Sequence, residues 1–393
     1  MIIKKCRVCD SRKLKKVISL GNQPLANNLL VTKNQKFKKF PLDIMFCSKC
    51  CNSQLSISIN SKKMFDNYLY KSSISKDLVL HFEKIAKKIK NNFKFDLKND
   101  LIIDVGSNDG IFLKACKKIG YQNLIGIEPA KNLANETRKF GFKIINDYLN
   151  QSTVQKINQK AKIITASNVF AHVSDLNDLT KNMIELLDQN GIIIIEIQYL
   201  PTMIDNLIFD NIYHEHVNYW SLISLMNFFK KFKFRIFNCE KINTHGGSLR
   251  VYVCNEANKR KTSLNVTKLK ILEKRKMINK LFYYKSFNKK INIRKRKILS
   301  YLINNKKKNI IGYGAPAKAT VALNFYKISN FLKYIVDDNP LKKDKIIPGT
   351  NLIIKDKINN KEDMVIIFAW NYFNKIKNKI KNKTYRILNL QSF

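Results

Sequence analysis

The sequence predicts an α/β protein in three parts: an N-terminal zinc-binding domain, a central Rossmann-like domain and a second, C-terminal Rossmann-like unit. Three observations carry this. Two cysteine pairs, "CRVC" and "CSKCC", lie near the start of the chain. The stretch 101–128, "LIIDVGSNDGIFLKACKKIGYQNLIGIE", reads as strand, glycine-bearing turn, helix and strand. A comparable unit, "NIIGYGAPAKATVALNF", recurs at 309–325. Strand–helix–strand connections ask for a parallel sheet. The expected divisions are 1–75, 76–255 and 256–393.

In the first part, Cys6 and Cys9 share their spacing with Cys47 and Cys50. Four soft thiolates can close a tetrahedral zinc site with no position left for water, which assigns the metal a structural role. Cys51 is the second choice for the fourth ligand. Between the knuckles, "LGNQPLANNLL" has the glycine, proline and asparagine chemistry of turns. After them "NYLYKSSIS", 67–75, reads as a polar loop whose hydroxyls could face a polyhydroxylated ligand. From 76 to 93 apolar residues at Leu78, Phe82, Ile85, Ala86 and Ile89 form a helical stripe. His81 on this helix is expected at the surface.

In the central part, ligands of a parallel sheet bind outside the carboxyl ends of its strands. Gly106 and Gly110 let the backbone approach a ligand there, and Glu128, ending the second strand, suits two ribose hydroxyls. Ser107 and Asn108 stand where a dinucleotide fingerprint would have more glycine, so a pyrophosphate cradle is disfavoured. The pattern resembles the S-adenosylmethionine loop of Rossmann-like methyltransferases, with Asp104 opening the motif. The alternation continues through a strand near Ile144, a strand at 163–166 ending in "SNVFAH", a helix at 176–187 and the buried strand of "GIIIIEIQYL". Asn168 and His172 thereby fall at the ligand-facing edge.

The cluster "FDNIYHEHVNYWS" holds the most unusual chemistry, with Tyr213, His214, Glu215 and His216 together. An imidazole can take a proton from carbon beside a carbonyl while a phenol donates a hydrogen bond to the developing enolate. Metal binding fits less well, because a strand would turn Glu215 away from both histidines and a helix would spread all three. A plain polar loop also remains open. In "THGGSLRVYV", His245, Ser248 and Arg250 surround a glycine pair that either admits a phosphate or makes a hairpin. The region 258–309 reads as two basic helices packed on one side. Beyond it, the helix start at 316–318, with Lys318, could receive a phosphate.

The chain of 393 residues can bury two or three cores, and its 45% apolar content is ordinary. Its formal net charge of +44 is not. The excess is spread throughout, together with abundant Asn and Ile, which favours compositional bias over a polyanion-binding face. Absence of a leader pattern, of an apolar run long enough for a bilayer and of a disulfide framework leads us to expect a soluble, cytoplasmic protein without membrane contact.

Taken in order, "CRVC…CSKCC", "LGNQPLAN", "VGSNDG", "SNVFAHVSDL", "EIQYL", "YHEHVNYWS", "HGGSLRVY" and "GYGAPAKA" resemble the zinc-containing sugar C-methyltransferases of deoxysugar biosynthesis across essentially the whole chain. The resemblance implies methylation of C3, or C5 in some members, of a nucleotide-linked 4-keto sugar by S-adenosylmethionine, through an enolate. It implies His216 as base with Tyr213, Glu215 and His172 as active-site partners. Cofactor contacts are expected from Asp104, Gly106, Asn108, Gly110, Glu128 and Asn168, and substrate contacts from Tyr70, His245, Arg250 and Lys318. Ala319 departs from the family's pattern, where glycine often stands. A monomer without nucleic acid is expected. Two rivals stay open: a zinc-ribbon RNA methyltransferase, and a non-catalytic nucleotide-sugar binding protein.

Overall fold

The computed structural model describes residues 2–59, 71–359, 362–381 and 385–393. The first strands are β1 (Leu14–Pro24), β2 (Lys39–Cys47) and β3 (Ser53–Leu55), an antiparallel set with Cys47 at the end of β2. The central strands follow as β4 (Leu101–Val105), β5 (Leu124–Ile127), β6 (Lys143–Ile145), β7 (Ala161–Ser167), β8 (Leu187–Gln198), β9 (Asn218–Tyr219), β10 (Phe234–Ile242) and β11 (Ser248–Asn255). Seven of them form one sheet in the order β10-β11-β8-β7-β4-β5-β6, parallel from β8 to β6, with β11 antiparallel to both β8 and β10. The glycine pair at 246–247 therefore belongs to a hairpin.

The eighth, β9, leaves its sequence neighbours and pairs with β3 as the fourth strand of the N-terminal sheet, Gln54 opposite Asn218 and Ser53 opposite Tyr219. The Tyr-His-Glu-His cluster just before it is thus anchored to the zinc-bearing sheet. That long-range pairing is invisible to periodicity, since two residues carry it.

The C-terminal strands β12 (Ile310–Tyr313), β13 (Ile335–Val336), β14 (Ile354–Lys355), β15 (Met364–Ile367) and β16 (Arg386–Asn389) form a second all-parallel sheet, ordered β14-β13-β12-β15-β16. Strand order reverses at β12 here and at β4 in the central sheet. A crevice for ligands opens at each such point.

The predicted helix before β4 spans Lys76–Asn92 and buries Leu78, Phe82, Ile85, Ala86 and Ile89 against the central sheet. At about 1.5–3 kcal/mol for each large side chain removed from water, this stripe holds the helix in place. The basic helix Leu281–Asn304 buries Tyr284, Phe287, Ile291, Ile298 and Leu302 in a core shared with β1, β2 and the C-terminal sheet. No described helix is long and apolar enough to cross a membrane.

Candidate functional site

Cys6, Cys9, Cys47 and Cys50 bring their sulfurs within 4.8 Å of one another. Cys6 and Cys50 stand 3.5 Å apart, Cys9 and Cys47 3.6 Å. Zinc–sulfur bonds of about 2.3 Å in a tetrahedron separate the sulfurs by roughly 3.8 Å, so the cluster fits a zinc ion held by thiolates alone. Cys51 lies outside the cluster.

At the central switch point, Asp104, the penultimate residue of β4, is buried and accepts a hydrogen bond from Thr165 Oγ1 at 2.6 Å. Burial pushes its carboxyl up to about 7. The turn that follows needs left-handed backbone: Gly106 has φ 69° and Gly110 φ 74°, and a Cβ would come within 2.7 Å of Val169 Cγ2 at the first and 2.5 Å of Thr137 Cγ2 at the second. Asn108 tolerates φ 51°. Glu128, just past β5, accepts from Asn108 N at 2.7 Å and Ala130 N at 2.9 Å, so it braces the turn. Its oxygens keep further lone pairs for hydroxyl donors. Burial raises its carboxyl above the ordinary value. The loop also holds two buried oxygens without a hydrogen-bond partner, Ser107 Oγ and Asp109 Oδ1. Asn168, at φ 60°, donates its N–H to Glu196 O at 2.7 Å and closes the neighbouring strand end. The segment before the first helix seats on the turn, with Ser72 N on Asn108 Oδ1 and Ser73 N on Asp109 Oδ2, each at 3.0 Å. Tyr70 lies outside the described residues.

The second half of the site is a group of imidazoles. His216 sits in an irregular turn, donating Nδ1–H to Asn211 O at 2.9 Å, while Tyr213 OH donates to its Nε2 at 2.9 Å. A carbonyl can only accept, so the Nδ1–H tautomer is fixed and Nε2 carries the lone pair. His172 packs edge-on at 4.9 Å between ring centroids and donates Nδ1–H to Glu215 O at 2.9 Å. Burial lowers His172 to about 4, and burial together with nearby His172 holds His216 well below the usual imidazole range. Glu215 is buried, accepts from Asn27 Nδ2 at 2.6 Å, and is pushed up by burial to about 6. His214 packs edge-on to Phe40, with 6.0 Å between ring centroids. Because the motif is a turn, only one of its two histidines joins the group.

The C-terminal unit supplies a cation. Lys318 stacks on the Trp370 ring at 4.1 Å and donates to Asn371 Oδ1 at 3.1 Å; burial lowers its ammonium to about 8, against the opposing pull of Asp210. Its charge is close enough to disfavour protonation of His216 and His245. His245, at φ 52° on the hairpin tip, is lowered to about 4 by burial. Asp210 accepts from Trp370 Nε1 at 2.6 Å and ties the two lobes.

Arg250, expected on the substrate side, has a side chain that is 5% exposed and lies 3.1 Å from Glu196, since a buried guanidinium needs a carboxylate. One sequence expectation needs correction. His81 is not a surface residue, since its Nε2 lies 2.8 and 2.9 Å from the two oxygens of Glu196. Thr244 Oγ1 adds a third donor to Glu196, at 3.1 Å, just before His245. Burial works to raise the Glu196 carboxyl, but His81 and Arg250 outweigh it. The signal was present: Glu196 is the one acid in the run "GIIIIEIQYL", and His81 shares the helical face of Leu78, Phe82 and Ile85.

The parallel sheet with a glycine turn after its first strand is a Rossmann-like arrangement, and residues 80–238 match the family described as "Methyltransferase domain". Residues 6–65 match a zinc binding domain family and residues 243–387 the "C-methyltransferase C-terminal domain". The chain is 27% identical over 382 residues to the C-methyltransferase NovU of Streptomyces niveus, covering 94% of this chain and 90% of that one. Among solved structures, magnesium protoporphyrin IX methyltransferase of Synechocystis PCC 6803 is 11% identical, covers 45% of this chain and 79% of its own, and superposes with a TM-score of 0.35. A methyltransferase of Clostridium acetobutylicum is 15% identical, with 44% and 89% covered and a TM-score of 0.35. The chain is a zinc-containing, S-adenosylmethionine-dependent C-methyltransferase.

Proposed function

We propose that the protein methylates carbon of a nucleotide-linked 4-keto-deoxysugar, at C3, with His216 as the base. The observation that carries this reading is the fixed tautomer of His216, whose lone pair meets the Tyr213 phenol beside His172 and Lys318. Nε2 takes the proton alpha to the ketone, the C–H electron pair moves into the enolate, and charge develops on the ketone oxygen. Tyr213 turns its hydroxyl from Nε2 to that oxygen as the proton leaves carbon. Lys318 stabilises the anion, so the cost of forming imidazolium beside a cation is offset when negative charge appears. When bound, S-adenosylmethionine supplies the methyl group: the enolate carbon forms the new bond as the sulfur–methyl bond breaks, its electron pair remaining on sulfur. Glu128, Asp104 and the turn 106–110 hold the donor, with Asn168 at the adjoining strand end. Glu215 and His172 orient the base, and His245 and Lys318 line the substrate side. Orientation of two bound reactants adds several kcal/mol to the modest gain of proton transfer, which is adequate for an activated sulfonium.

The reading is tested by incubating the protein with a panel of nucleotide-linked 4-keto-deoxysugars and methyl-labelled donor, then locating the label by mass and NMR. A methyl on C3 is expected. Label on oxygen, on nitrogen or on RNA contradicts it.

A further inference from the structure

Resting on the assignment of His216 as base, we infer that Arg7, set between two zinc ligands, is a positioning residue that fixes where this base stands. Arg7 occupies the knuckle between Cys6 and Cys9 and is buried, yet no carboxylate among the described residues pairs with it. Its guanidinium instead gathers backbone. Nη1 donates to Leu55 O at 2.8 Å and to Val217 O at 3.3 Å, and Nη2 to Ile57 O and Ser58 Oγ, both at 2.8 Å. The Arg7 backbone N–H adds Gln54 Oε1 at 2.8 Å.

Val217 directly follows His216. Its carbonyl also accepts from Leu55 N at 3.0 Å, and its own N–H reaches Ala171 O at 2.7 Å, beside His172. One planar, permanently charged fork therefore joins the zinc knuckle, the inner strand β3 and the residue that follows the base. An arginine can hold several carbonyls in a fixed fan, which the single ammonium of lysine cannot reproduce. Two residues before Val217, Glu215 is gripped by Asn27 of the N-terminal module. The zinc site thus does more than hold its own module: through Arg7 it sets where His216 stands beside Tyr213 and His172. Among the described residues, Glu128 and Asn108 draw their contacts from the central sheet and the segment before the first helix, and none of these contacts is with the fork.

The test uses the zinc-loaded full chain labelled with 13C and 15N at histidine, of which there are five. The His216 signals are identified by their loss in His216→Asn. In wild-type protein His216 should show a protonated Nδ1 and an unprotonated Nε2. In Arg7→Ala its signals should shift and the Nδ1–H tautomer should no longer dominate, with the His81 signals and S-adenosylmethionine affinity unchanged and one zinc still bound per chain. Arg7→Lys, which keeps the charge, should displace the His216 signals in the same direction and lower kcat without raising the Kd for donor. Unmoved His216 signals in either zinc-replete variant overturn the inference. Loss of zinc from both variants also overturns it, because Arg7 would then serve the metal site alone. The signals report position whether or not His216 is the base; that role is settled separately by turnover of His216→Asn.

Discussion

The two Rossmann-like units use the same device and put it to different ends. In the central unit, Glu128 past the second strand accepts two backbone N–H groups, one from the turn after the first strand. In the C-terminal unit, Asp337 past β13 does the same, accepting from Ala315 N at 2.7 Å and Asn339 N at 2.9 Å. The difference lies in what faces the acid. Lys342 places its ammonium 3.3 Å from Asp337 and donates to Ala315 O at 3.0 Å, so the chain's own cation stands over this crevice. Glu128 has no such lysine among the described residues. Topology brings an acid to a glycine turn in both units. Whether that acid meets a ligand depends on whether the chain has already neutralised it.

The largest expected effect is on the central acid. Glu128→Ala removes two charge-assisted hydrogen bonds within the turn, each worth about 1.5–3 kcal/mol, as well as the proposed ribose contact. Isothermal titration should show S-adenosylmethionine binding weakened by roughly 100-fold or more. Asp337→Ala should leave that affinity within about a factor of two, and wild-type protein should bind one donor per chain. Equal losses in both variants, or two donors per chain, would break the comparison.

A second contrast concerns charge. The C-terminal crevice holds a fixed ion pair, whereas the central cavity is lined by imidazoles kept neutral by burial. A base whose pKa is lowered stays unprotonated at neutral pH and loses activity only as pH falls through the lowered value. For a ketosugar substrate, kcat/KM should be level near pH 7, with a basic decline as Lys318, lowered to about 8, loses its proton, and with its acidic limb below the usual imidazole value of about 6.5. An acidic limb centred at or above that value would show that the cavity does not disfavour imidazolium.

Lys342→Ala should have the smallest effect. Its ion pair with Asp337 is partly exposed and two backbone donors remain, so the stability lost should be about 1 kcal/mol or less by denaturant titration. Gain of S-adenosylmethionine binding in this variant would mean that the cation alone separates the two crevices.

Much of this was legible in residue order. The strand–turn–helix units announced themselves as short apolar runs broken at glycine, the helix stripe from Leu78 to Ile89 showed its period, and paired cysteine spacing pointed to the cluster that the fold assembles. The rest was hidden because the contacts join distant residues. Glu196 gathers His81 and Arg250, which are 169 positions apart, and no local pattern couples them. The two-residue strand β9 is too short to display alternation, yet it fastens the histidine turn to the zinc-bearing sheet. The same turn separates His214 from His216, which a strand would have placed on one face.

The most direct measurement follows the hydrogen on the substrate carbon. With a 4-keto-deoxysugar nucleotide accepted by the wild-type protein, in D2O with S-adenosylhomocysteine in place of the donor, His216 should exchange the C3 hydrogen for deuterium. His216→Asn should abolish both this exchange and methyl transfer while binding S-adenosylmethionine with near wild-type affinity. Retention of wild-type exchange and turnover by that variant would contradict the assignment of the base.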